Sequence, residues 1–160
     1  MGAERESQLT RIQRLEALLE LIRAVAAGIS SGAQPAILLW GNNNVAATVT
    51  TRFLEPGYES SQAPTLVVQF RVPFGGVLRN MRVHCRTGAG NGNAIVYTVR
   101  VNSIVTTLIV SMASTATDGS NLVNTATVAA GDLVDVQVTK ALGIGASPSD
   151  IVCSLQLGFI

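Results

Sequence analysis

The chain has 160 residues, of which 48% are hydrophobic, 13% charged and 4% aromatic, and its formal net charge is +1. So much apolar content excludes intrinsic disorder, and the length suffices for one domain with a full core plus an appendage. A scattered, nearly balanced charge with so few aromatic rings excludes a basic or base-stacking nucleic-acid surface, and no apolar run approaches the roughly 20 residues that span a bilayer.

The start, Met1-Gly-Ala-Glu-Arg-Glu6, carries charges of both signs and no apolar stretch behind them, so no signal peptide is expected. Apolar residues then recur every three or four positions. Ile12, Leu19 and Ala26 fall at a positions of a heptad, and Leu15, Ile22 and Ile29 at d positions. This spacing predicts a helix from about residue 6 to residue 27, ended by Gly28 and Gly32. Leu18 and Val25 at g widen the stripe, and Leu at a followed by Ile at d leans towards three or four strands rather than two. Three heptads are marginal for an isolated helix in water. Such a helix either bundles with other copies or docks on its own β-domain or another protein. Both readings make Ile12, Leu15, Leu19, Ile22 and Ile29 an oligomerisation or attachment stripe.

Ser30-Ser-Gly-Ala-Gln-Pro35 reads as a linker, which divides the chain into a helical stalk or anchor (1–32) and a β-domain (33–160). Beyond it the period drops to two. Strands are predicted over 36–40, 45–53, 65–74, 77–86, 94–101, 105–112, 122–128, 133–139 and 151–159. Leu66, Val68, Phe70, Val72 and Phe74 form one inward set, and Ile95, Tyr97, Val99 and Val101 another. Asn102-Ser103 and Gly131-Asp132 are turn candidates. No helical pattern separates the strands, so a βαβ fold is excluded and an antiparallel jelly-roll-like sandwich is expected. The stretches 36–40 and 105–110 are apolar on both parities, so either both faces are covered, one by a neighbouring subunit, or these are central strands.

Chemistry-bearing residues are sparse. Cys85 and Cys153 fall on the apolar side of their strands and read as small core residues; a disulfide would need those strands to be neighbours. His84 lies between Arg82 and Arg86 on the polar parity, with no nucleophile to serve. Asp118-Gly-Ser-Asn121 lacks the further carboxylates of a calcium loop, and the Gly-rich run 88–93 lacks the helix a phosphate cradle needs. No catalytic, cofactor-binding or metal-binding residue is assigned, and an enzyme is not expected.

From Gly76 onward the pattern becomes more specific. Gly76-Val-Leu-Arg-Asn-Met81 precedes the loop 88–93, then Tyr97-Thr-Val-Arg-Val-Asn102 and Thr106-Thr-Leu108. Asn124-Thr-Ala-Thr-Val-Ala-Ala-Gly-Asp132 leads into Val134-Asp-Val-Gln-Val-Thr139. About half the chain thus resembles the C1q/TNF-like trimeric jelly-roll domains found at the ends of bacteriophage virion proteins and bacterial collagen-like surface proteins. It departs from the collagen-linked members in carrying a heptad segment in place of Gly-X-Y, and Asn102-Ser103 stands where Asn-Gly is expected.

The resemblance implies a homotrimer and no catalytic residues. The expectation is a virion structural protein, made in a host cytoplasm, that decorates or cements a capsid through the major capsid protein or another virion protein. Neither nucleic acid nor membrane is expected as a partner. The alternative is the receptor- or glycan-binding tip of a tail fibre or spike.

Overall fold

A computed structural model describes residues 16, 18–20, 35–45, 51–88, 90, 94–140 and 148–159. The chain divides into two compact units, Met1–Gln34 and Pro35–Ile160. In the first unit, the described residues 16 and 18–20 are helical, and Leu19 is exposed. Ile12, Leu15, Ile22 and Ile29 lie outside the described residues, as do the proposed ends of the helix.

The second unit is mainly β, as the alternation predicts: a sandwich of eleven strands, antiparallel but for one short parallel pair. These are β1 (Ala36–Asn44), β2 (Thr51–Pro56), β3 (Glu59–Gln62), β4 (Phe70–Arg71), β5 (Gly76–His84) and β6 (Ile95–Val101). There follow β7 (Ile104–Met112), β8 (Asp118–Asn121), β9 (Ala126–Val128), β10 (Leu133–Lys140) and β11 (Ser149–Gly158). The first sheet runs β1-β11-β5, with β8 and β9 both on the far edge of β5. The second runs β2-β10-β6-β7, with β4 also on β10. The pairing is nested: β1 with β11, β2 and β4 with β10, β5 with β8 and β9, and β6 with β7. This is jelly-roll order. Short β1–β2 pairing at Trp40 and Gly41 joins the sheets along one side.

Side-chain alternation explains the core. Leu54, Val134, Val136, Tyr97, Val99 and Leu108 point inward from the second sheet, and meet Leu78, Met81, Val83, Ile151, Leu155 and Leu157 from the first. Leu78 and Met81 are three residues apart yet both wholly buried, which strict alternation forbids. A bulge resolves this. Arg79 pairs with Gln156 and Arg82 with Ser154, so one extra residue of β5 is absorbed at Asn80, whose φ is 53° and whose side-chain amide donates to Gln156 Oε1 at 2.7 Å. The β6–β7 turn uses Asn102 and Ser103 with φ of 51° and 68°, the doubly left-handed geometry of a tight hairpin.

Several elements differ from those expected: β2 runs on to Pro56, past the expected end at 53, only Ala126–Val128 of the expected 122–128 pairs, and β3, parallel to β1, was not expected. The run 65–74 is not one strand, since only Phe70–Arg71 pairs, with β10; Leu66 is 78% exposed and Val67 is exposed too. The polar segment Asp118–Asn121, read as a loop, is a strand on β5. Gly119 allows this, because a Cβ there would lie 2.6 Å from Val110 Cγ1, so the inward position of β8 has no room for a side chain.

Candidate functional site: the outer faces of the two sheets

The outer face of the second sheet is covered by its own chain. Phe53, Thr98 and Asp135 point away from the core yet are buried. The Arg100 guanidinium bridges both oxygens of Asp135 at 2.7 and 3.0 Å and lies 4.7 Å above the Phe53 ring. Gln69 Nε2 donates to Asp135 Oδ2 at 3.1 Å, and Phe53 N–H donates to Pro64 O at 3.1 Å. The backbone over 64–69 is therefore tied across this face instead of entering a ladder, which is why it is no strand.

Among the described residues the outer face of the first sheet has no such cover. On β1, Ile37 and Leu39 are 56% and 49% exposed, while Leu38 and Trp40, which alternate with them, turn towards the core. A groove of about 390 Å³ beside them is lined by Trp40, Pro56, Gly57 and Phe70. Across the sheet the face turns polar. Register places Ser154, Arg82 and Ser120 side by side on β11, β5 and β8, next to Leu39 of β1. The neighbouring row is Val152, His84 and Asp118. These residues, with Gly119 and Val83, line a depression of about 440 Å³.

The charged groups here are mostly paired. The His84 ring Nδ1 lies 2.8 Å from Asp118 Oδ1, and Thr117 Oγ1 donates to Asp118 Oδ2 at 2.9 Å. Those two bonds, that of His84 the stronger, hold the Asp118 carboxyl below its usual range. Arg86 pairs with Asp150, and Asp150 also accepts from the Tyr58 hydroxyl at 2.8 Å; that bond raises the Tyr58 pKa. Arg82 has no acidic partner among the described residues.

A second exposed apolar group lies at the β7 edge. Ile104, Val105 and Ile109 are exposed on β7, with Leu122 and Val123 in the connection beside it. The backbone of this edge is blocked: Asn121 Nδ2 donates to Thr107 O and Ile109 O at 3.2 and 3.0 Å, and Asn124 Nδ2 to Thr107 O at 3.0 Å. Amide side chains thus satisfy carbonyls that would otherwise template a foreign strand. At one end of the sandwich the Phe74 and Phe159 rings stack at 4.5 Å, and Phe159 remains 53% exposed.

Sequence reasoning placed His84 on the polar face but missed its partner. Asp118 lies in a segment without alternation, so nothing in the sequence marked it as the strand beside β5. Cys85, directly after β5, and Cys153, on the neighbouring β11, are free and buried, with Val83 and not Cys85 opposite Cys153. Among the described residues no group of three His, Cys, Asp or Glu side chains could hold a metal ion, and no helix is long and apolar enough to cross a membrane.

No family model and no curated protein matches the chain. Among solved structures, dimeric latent PorU from Porphyromonas gingivalis is similar at 11% identity and a TM-score of 0.41, over 79% of this chain. The chain spans 13% of the length of that protein.

Proposed function

We propose that the protein is a virion structural subunit, a trimeric decoration or cement protein of the capsid exterior whose sandwiches associate side by side. The observation that carries this reading is the pair of unlike apolar patches on one sandwich: Ile37 and Leu39 on the uncovered first sheet, and Ile104, Val105, Ile109, Leu122 and Val123 at the β7 edge. Exposed apolar groups gathered in this way mark interaction surfaces. Two unlike patches fit each other head to tail between copies, and such contacts generate a ring when the rotation closes. The nested strand order and the resemblance of residues 76–139 to trimeric virion jelly rolls favour three copies in that ring. On this reading the heptad residues of the first unit add a stalk or anchor, and many copies on a shell sum weak contacts into firm attachment.

Light scattering on the full chain at micromolar concentration tests the assembly. The mass of three 16.7 kDa chains is expected, falling to that of one chain in Leu39→Asp. A monomeric parent protein removes the trimer. Co-sedimentation with empty capsids, against binding to host cells, separates decoration from a receptor-binding tip.

A further inference from the structure

We propose that Arg82, bracketed by Ser120 and Ser154, is a binding site for the oxyanion of an acidic saccharide, a carboxylate or phosphate carried on a sugar ring. The site rests on the β-sandwich alone and not on the trimer. Arg82 pairs in register with Ser154 on one side and Ser120 on the other, so two hydroxyls flank one guanidinium on three adjacent strands. Strands lie about 4.8 Å apart, so each hydroxyl stands one strand from Arg82, and an oxyanion held by the guanidinium can also accept from the hydroxyl on whichever side it lies. A guanidinium presents a planar fork of donors matched to carboxylate and phosphate, and hydroxyls add donors whose direction adjusts to the ligand.

The rest of the charge in the depression leaves Arg82 free for this role. Asp118 is held by His84 and Thr117, and Asp150 by Arg86 and Tyr58. Asp135 is engaged by Arg100 on the other sheet. Among the described residues Arg82 therefore has no ion-pair partner, and its neighbours in its own row are neutral, with the Asp118 carboxylate one row away and engaged by His84 and Thr117. At about 440 Å³ the depression exceeds a bare oxyanion and falls in the range of small-molecule sites. Val152 beside His84 supplies aliphatic surface for the C–H face of a ring.

Calorimetric titration of the full chain with glucuronate, glucose 6-phosphate, glucose and inorganic phosphate at fixed ionic strength tests the site. Glucuronate and glucose 6-phosphate are expected to bind saturably and glucose not at all. Arg82→Gln should weaken binding roughly tenfold or more, as befits loss of charge-assisted hydrogen bonds. Arg71→Gln, on the other sheet, should bind like the parent. The double variant Ser120→Ala with Ser154→Ala should bind less tightly while keeping the parent's unfolding midpoint. Absence of saturable binding, or equal binding by Arg82→Gln, overturns the site. Inorganic phosphate binding as tightly as glucose 6-phosphate overturns the saccharide as ligand. Arg82→Gln is expected to keep the parent's mass in light scattering, so failure here is distinct from failure of the assembly reading.

Discussion

The two sheets are built from the same alternation, yet their outer faces differ in kind. The second sheet turns Phe53, Thr98 and Asp135 outward and then covers them with Arg100, Gln69 and the backbone over 64–69. The first turns Ile37 and Leu39 outward and leaves them about half exposed, with no cover among the described residues. A face that has been provided with its own cover has no need of a partner. A bare apolar face flanked by polar rows has the composition of an interface, with an apolar centre and a polar rim. On the proposed reading, the first sheet offers its face to a neighbouring copy, whereas the second offers only its β7 edge.

The largest effect is expected where the cover is tightest. Asp135 is wholly buried, and Asp135→Ala would strand the Arg100 guanidinium beneath the same cover. Breaking a buried pair in this way costs about 3 kcal/mol or more. Urea unfolding should show the loss, and a midpoint within error of the parent would mean that the cover over the second sheet contributes little. The first sheet is tested by alkali instead. Burial pushes the Cys153 thiol up from 9.0 to about 12, and raises Cys85 and, in the second sheet, Tyr97 as well. A folded-state pKa above the unfolded value gives stability that is complete below the unfolded value and is lost as pH rises towards the folded one. The urea midpoint should therefore be unaffected by these groups up to about pH 8 and fall progressively above pH 9. A midpoint unchanged between pH 8 and pH 10.5 would contradict the burial of these groups.

What could be read beforehand follows from how locally each feature is encoded. Ile95, Tyr97 and Val99 alternate with polar residues, and all three are buried as alternation requires. Ile151, Cys153, Leu155 and Leu157 behave in the same way. The failures lie where a long-range partner decides. Leu66, Val68 and Phe70 alternate as well as any strand, but the pull of Asp135 on Gln69 and of Phe53 on Pro64 takes that backbone out of the ladder. Asp118–Asn121 shows no alternation because its inward residue is Gly119, excluded from bearing a side chain by Val110, nine residues away in sequence. The bulge at Asn80 was equally silent, since it shows only as a break in parity once both neighbours are seen to be buried. The apolar stretches 36–40 and 105–110 did carry a usable signal: in each, one parity enters the core and the other is exposed on the isolated chain. The polar platform had none, because Arg82, Ser120 and Ser154 are ordinary outward residues until register sets them side by side.

The smallest expected change in folding stability is also the sharpest separation of the two faces. Ile37→Ser with Leu39→Ser removes apolar groups that are about half exposed and lie outside the core. Surface substitutions of this kind usually shift folding free energy by no more than about 0.5 kcal/mol. Measured at a concentration where the parent is dissociated, the double variant should therefore unfold with nearly the parent's midpoint. At assembly concentrations the same variant should lose the concentration-dependent rise in midpoint that mass action gives an oligomer. A cover and an interface differ in this: removing a cover weakens a single molecule at every concentration, whereas removing an interface weakens only the assembled one. If the double variant proved as unstable as Asp135→Ala at every concentration, Ile37 and Leu39 would be supporting their own sandwich and the first sheet would lose its claim to be the contact face.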